Sequence, residues 1–442
     1  MRAPMRAVAA CLALLGGAAL AAPPAAPPAA APAAQGARIV VAFANEPHTA
    51  PGPAGTTGSH YGGGGYRVGQ SAQQQARRVA RAFSLREVAS WPIKALSMHC
   101  VVYEITNGRP VPDVLAALSK DQRVVLAQPL HEFHTLTGPA APAGAVPHAS
   151  PYNDPLYDLQ KNLLTLGIAR AHERSQGAGV RVALIDTGVD ARHPDLAGRI
   201  LSAQSFVGTL GAPRAQASSA ALLRHGTAMA GVIAAVANNH IGIVGIAPQA
   251  QIEVFEACWQ LEPDSDAAAC NTFTLARALA AALASGAPLV NLSLAGPADP
   301  LLTALVERGL ARGMTFVGAS GGPDEGFPTA IHGVLAAAAS EQPLPAGALG
   351  APGQHVLTLR PDGQYDFESG ASVAAAELTG VIALLMSASS TRLSTSAVAS
   401  LLGGAPAAPT PNADPQVVDV TGALERLDSG HMAAAGRPHA AR

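Results

Sequence analysis

The chain has 442 residues, 49% of them hydrophobic, and a formal net charge of −2. That length holds a large domain with a smaller one ahead of it, and a sizeable core. No stripe of Lys and Arg runs along it, which argues against a nucleic-acid partner.

In chain order, Arg2 and Arg6 precede an apolar run over residues 7–20, and Ala19-Leu20-Ala21 offers a small-x-small cleavage site. This is the pattern of a signal peptide over residues 1–21. The run is too short to span a bilayer stably. Export, periplasmic or fully secreted, is expected, with no membrane span after leader removal. Residues 22–36 are nearly all Ala and Pro, a linker that cannot build a core. Residues 37–136 follow the order β-α-β-β-α-β, which predicts a small ferredoxin-like α+β domain. Its strands fall at 38–43, within 94–105 and at 124–127, its helices at 71–83 and 112–118. A Gly-rich insertion occupies residues 62–65. Residues 137–151 form a second Pro/Ala/Gly linker, a natural processing region.

From residue 152 to 428 the texture changes. Apolar strands at 181–185, 252–255, 289–294 and 315–317 alternate with helices at 274–284 and 301–311. This predicts an α/β domain with a doubly wound, mainly parallel sheet. The tail, residues 429–442, has no core pattern and is expected to be disordered. Of the four cysteines, Cys11 lies in the leader and Cys100 has no evident partner. Cys258 and Cys270 are expected to form a disulfide in an exported chain.

Three segments carry chemistry. Val182-Ala-Leu-Ile-Asp186-Thr-Gly188 delivers a carboxylate to the C-terminal end of a strand, where open α/β sheets place their sites. His225-Gly226-Thr227 opens an Ala-rich helix and offers the side chain best suited to take a proton near neutral pH. Ser369-Gly370-Ala371-Ser372-Val373-Ala374 opens another helix. A serine there is ordinarily a cap. With small neighbours it is also a nucleophile whose own N–H and helix dipole face a developing oxyanion.

The order Asp, His, Ser on such elements resembles the subtilisin family of serine peptidases, the subtilases, over residues 152–427. Other stretches agree. Val290-Asn291-Leu-Ser293-Leu294-Ala295-Gly296 is similar to the family's substrate-pocket wall, which makes Ser293, Leu294, Ala295 and Gly296 substrate-binding candidates. Asn238-Asn239-His-Ile-Gly242 resembles its calcium loop, and Asn153-Asp154-Pro155 a common start of the mature enzyme. The domain ending Ala127-Gln128-Pro129 resembles the inhibitory prodomain. The resemblance implies a serine endopeptidase acting on polypeptides through an Asp186-His225-Ser372 acyl-enzyme mechanism. It also implies an intramolecular inhibitor whose C-terminal segment lies in the cleft like substrate, and a monomer is expected. The chemistry needs no cofactor. Asp154, Asp195 and Asn239 are the candidate ligands of a structural calcium.

The family pattern breaks at the oxyanion hole, where subtilases place an Asn side chain. An ungapped alignment from Gly313 puts Gly322 there, and a gapped one puts Ser320. In subtilisin, the family's namesake, losing that donor costs about 10²–10³ in kcat. Ala371, Val373 and Ala376-Glu377 also depart from the usual serine motif. The alternative function is therefore a weakly active or inactive subtilase-like module that binds extended peptides in secretion or assembly. An esterase built on the same nucleophile is a third, lesser reading.

Overall fold

The first strand, β1 (Arg38–Ala44), reads Arg-Ile-Val-Val-Ala-Phe-Ala and is apolar on both faces. Side chains alternate across a strand. Ile39, Val41 and Phe43 therefore enter one core while Val40 and Ala42 enter another. The computed structural model describes residues 37–46, 67–138, 150–208, 221–261, 265–322, 326–403 and 417–435. The expected leader, the Ala/Pro linker, the insertion at 62–65 and most of the second linker lie outside the described residues.

After β1 come α1 (Gln70–Phe83), β2 (Leu85–Ile93), β3 (Met98–Ile105), α2 (Val111–Leu118) and β4 (Leu126–Pro129). The four strands form an antiparallel sheet in the order β2-β3-β1-β4, with α1 and α2 packed on one face. The expected β-α-β-β-α-β order is present. Of the strands expected near 94–105, β3 lies in that range, whereas β2 precedes it and joins β3 by a short turn over 94–97. The last strand sits two residues later than expected. A further strand, β5 (Glu132–Thr135), leaves this unit and pairs elsewhere.

The larger part begins with α3 (Lys161–Thr165) and α4 (Ile168–His172), then β6 (Arg181–Asp186), β7 (Ile200–Ser205), α5 (Arg224–Ala234) and β8 (Gln251–Glu256). A hairpin of β9 (Cys258–Gln260) and β10 (Ala268–Asn271) follows, then α6 (Thr272–Ser285), β11 (Leu289–Leu292), β12 (Leu294–Ala295) and α7 (Pro300–Leu310). Next come β13 (Thr315–Ala319), β14 (Leu335–Ala339), β15 (Leu349–Ala351), the hairpin β16 (Val356–Arg360) and β17 (Gln364–Glu368), and α8 (Ala371–Ala388). α9 (Thr395–Leu402) and α10 (Val420–Ala435) end the described chain. α10 continues past Asp428 to Ala435, so the first part of the expected disordered tail is helical.

Seven parallel strands form the central sheet in the order β15-β14-β13-β11-β6-β8-β7. Both its faces are covered, which is why its strands are continuous apolar runs. Val182 and Leu184 of β6 face α5 and α8, whereas Ala183 and Ile185 face α6 and α7. The expected strand over 289–294 breaks at Ser293. β11 belongs to the parallel sheet, and β12 turns into a second, antiparallel ladder. The layers are therefore α1 and α2, the small sheet, α6 and α7, the large sheet, and α5 with α8. Val40, Ala42, Trp91, Cys100 and Val102 close the small sheet onto Phe273, Leu301 and Leu302. α8 is long and apolar enough to cross a membrane, and it is buried in the core of the fold.

Candidate active site

β6 ends on Asp186, and its carboxylate is buried. Oδ1 accepts from the Thr187 N–H at 2.6 Å and lies 2.7 Å from His225 Nδ1. Thr187 Oγ1 accepts from the Gly226 N–H at 2.8 Å, so one turn after β6 grips the first turn of α5. With Nδ1–H committed to Asp186, the neutral imidazole carries a bare Nε2. That nitrogen is buried and has no hydrogen-bond partner. Burial works against a charged His225, but the Asp186 carboxylate outweighs it and holds the imidazole above its ordinary value, helped by Glu368 and Asp266.

Ser372 stands in the first turn of α8, which packs against α5. Its hydroxyl does not point to His225. Oγ donates to Ser293 O at 2.9 Å and accepts from the Leu136 N–H at 3.0 Å. The Ser372 N–H donates to Leu136 O at 3.2 Å. Gly370 has φ +130°, and a Cβ there would lie 2.1 Å from Leu136 O. Only glycine lets that carbonyl reach the helix start.

Leu136 follows β5, and β5 lies between two strands of the larger domain. His134 is opposite Ala269 and Phe133 opposite Cys270 on β10, while Thr135 and His134 face Leu294 and Ala295 on β12. Beyond Thr137, the Gly138 N–H donates to Ser369 O at 2.9 Å. An extended segment thus runs between β10 and β12, with the Leu136 carbonyl on the Ser372 N–H.

The expected substrate-binding residues fall here. Ser293 contacts Ser372 through both its carbonyl and its hydroxyl, which donates to Ser372 O at 2.9 Å. Leu294 and Ala295 pair with the segment, and Gly296 lies against Phe133. Gly322 sits beside the Leu136 side chain, where an added Cβ would come within 3.0 Å of Leu136 Cδ2. Ser320 follows β13, its N–H donating to Ala337 O at 2.8 Å, and its hydroxyl makes no bond to Leu136. The Cys258–Cys270 disulfide is formed, across directly opposed positions of β9 and β10. Cys100 is buried in β3 with a free thiol.

The three calcium candidates come together but do not fit a cation. Asp154 accepts from the Asn238 and Asn239 N–H groups, and Asp195 from Asn239 Nδ2 and the Ile243 N–H. Their oxygens face N–H donors, which a hard cation would have to displace.

The sequence did not point to one charged cluster, and it marked Glu377 as a departure without a role. Arg360 on β16 bridges Asp266, in the β9–β10 turn, and buried Glu368 on β17, while Asp266 also accepts from Arg224 beside His225. Burial pushes the Glu368 carboxyl up to about 7. Glu377 lies deep in the core and accepts from Asn162 Nδ2 at 2.8 Å. Burial raises its carboxyl well above the usual range.

A family model described as "Subtilase family" matches residues 177–405, more than half of the chain. The chain belongs to the subtilase family. This subtilase is 29% identical to thermitase of Thermoactinomyces vulgaris over 250 residues, 53% of this chain and 85% of thermitase. It is 29% identical to subtilisin E of Bacillus subtilis (strain 168) over 228 residues, 48% of this chain and 56% of subtilisin E. It therefore spans only about half of subtilisin E. Among solved structures, fervidolysin from Fervidobacterium pennivorans, a keratinolytic enzyme related to subtilisin, superposes with a TM-score of 0.66 at 20% identity. That match covers 88% of this subtilase and 61% of fervidolysin, and it establishes the shared fold.

Proposed function

We propose that this subtilase is an exported serine endopeptidase, with residues 37–136 as its own inhibitory prodomain. His225 Nε2 takes the proton of Ser372, whose Oγ attacks a peptide carbonyl. Asp186 holds the imidazole tautomer and stabilises its charged form. The Ser372 N–H receives the oxyanion, His225 returns the proton to the leaving amine, and water releases the acyl group by the reverse path. Before attack, the Ser372 hydroxyl must rotate away from Ser293 O into another staggered well that brings it to His225.

One observation carries this reading: a chain segment lies in a substrate's β-ladder with its carbonyl on the Ser372 N–H. The first bond cut is then Leu136–Thr137. A fluorophosphonate probe is expected to label Ser372, and sequencing of the processed protein is expected to begin at Thr137. An intact, unlabelled chain would favour the second reading, a peptide-binding module. That reading is supported by the glycine at position 322 and by the bond from Ser372 Oγ to Ser293 O.

A further inference from the structure

The strand through the cleft is held on one side by a hairpin that the disulfide ties across its two strands. Its partner strand β10 follows β5 in regular antiparallel register from Asn271 to Ala269. One position further on, the ladder changes. The Ala268 N–H donates to the side-chain Oγ1 of Thr135 at 2.9 Å. Both residues are buried, so this amide has no access to water as an alternative partner. Thr135 is the second residue before the bond at Ser372. Two positions earlier, the Phe133 ring is fully buried, edge-on to Phe327 at 5.4 Å between centroids. It also covers Gly296, where an added Cβ would lie 2.3 Å from the ring. The segment is thus anchored at Phe133, so the Thr135 side chain meets Ala268 in a defined register.

We infer that the Ala268 N–H of the disulfide hairpin is a specificity determinant that selects peptides with a hydroxyl side chain, Thr or Ser, as the second residue before the scissile bond. The inference rests on the reading that the cleft segment binds as substrate does. A buried amide left without its acceptor is unfavourable, whereas a paired one costs nothing on binding. Valine has the shape of threonine without the hydroxyl, so it isolates this one bond.

Two measurements test the inference. The processed full-length protein is given internally quenched peptides containing Phe-His-Thr-Leu or Phe-His-Val-Leu before the cut. Threonine is expected to exceed valine by about 5- to 100-fold in kcat/KM, the span that one unpaired buried amide corresponds to. Equal or faster cleavage of the valine peptide overturns the inference, because the Ala268 N–H would then be satisfied by backbone alone. The second measurement needs no activity. In the full chain carrying Ser372→Ala, Thr135→Val is expected to speed hydrogen exchange at the Ala268 amide selectively, with the neighbouring amides of β10 unchanged. Unchanged exchange at Ala268 also overturns it. If no peptide is cut and no probe labels Ser372, the peptidase reading fails, and the exchange result still decides the role of Ala268.

Discussion

His225 Nε2 has no hydrogen-bond partner, and the Ser372 hydroxyl, which donates to Ser293 O, does not bond to it. The hydroxyl instead stands between the Leu136 N–H and Ser293 O, a place an extended substrate's backbone would otherwise bridge directly. In the ungapped alignment from Gly313 the missing family donor falls on Gly322, beside the Leu136 side chain. An added Cβ would come closest, at 3.0 Å, to the far end of the Leu136 side chain, which can turn aside, and would lie at an ordinary 3.6 Å from the Ala295 Cβ. Gly322→Asn is therefore expected to fold and to raise kcat by up to about 10²- to 10³-fold, the scale of such a donor in subtilisin. Steady-state kinetics on a small peptide substrate checks this. An unchanged kcat in a folded variant would show that another group already serves as donor.

At the scale of elements, α8 carries the departures from the family's serine motif in a buried helix. The helix is buried along nearly its whole length, and Ala374, Ala375 and Ala376 let it lie close to α5 and the sheet. Glu377 occupies the same environment with only Asn162 Nδ2 to meet it, and Oε2 has no partner. Desolvation favours the neutral acid, so the folded state holds a proton that the unfolded chain releases. The sign follows from linkage. Glu377 contributes stability below the ordinary carboxylate range, and the contribution is lost as pH rises through its raised folded value. Glu377→Gln in a Ser372→Ala background should remove that loss. Its Tm relative to the parent is expected to be higher at pH 9 than at pH 5, by differential scanning calorimetry. A pH-independent difference would mean that the Asn162 contact, not the proton, decides.

At the scale of the whole molecule, the small sheet is docked by an apolar face and by a polar clamp at the starts of α6 and α7. Gln128 Oε1 accepts from the Leu301 N–H at 3.1 Å, and His131 Nδ1 lies 3.0 Å from Asp299 Oδ2. Asp299 also caps α7 through the Leu302 N–H at 3.0 Å. Despite burial, its hydrogen bonds, His131 foremost, hold the Asp299 carboxyl below its ordinary value. Gln128→Ala leaves a buried amide unpaired at a cost of about 1–3 kcal/mol. It is expected to bring peptidase activity out roughly 5-fold or more faster after processing, followed by a progress curve on the full chain. An unchanged lag would place the hold on the apolar face alone.

Much of this architecture was legible. Strand β6 is readable because four apolar residues precede Asp186, and the starts of α5 and α8 because small residues follow His225 and flank Ser372. The order of the small domain was readable from period-two and helical patterns, though β2 was missed because its Arg86, Glu87 and Ser90 are exposed or half-buried on an edge strand. The hairpin β16–β17 was missed for a similar reason, since Gln364 and Asp366 face outward on β17.

By itself, then, the sequence determined which residue types stand at strand ends and helix starts, because propensity and periodicity act over a few neighbours. Tertiary structure alone decided which carbonyl rests on Ser372, which amide meets Thr135, and why the Glu377 carboxyl is raised above its ordinary range. Those outcomes join positions such as Leu136 and Ser372, 236 residues apart, or Asn162 and Glu377, 215 apart. Contacts of that range depend on burial and packing of whole layers, and no local stretch of chain encodes them.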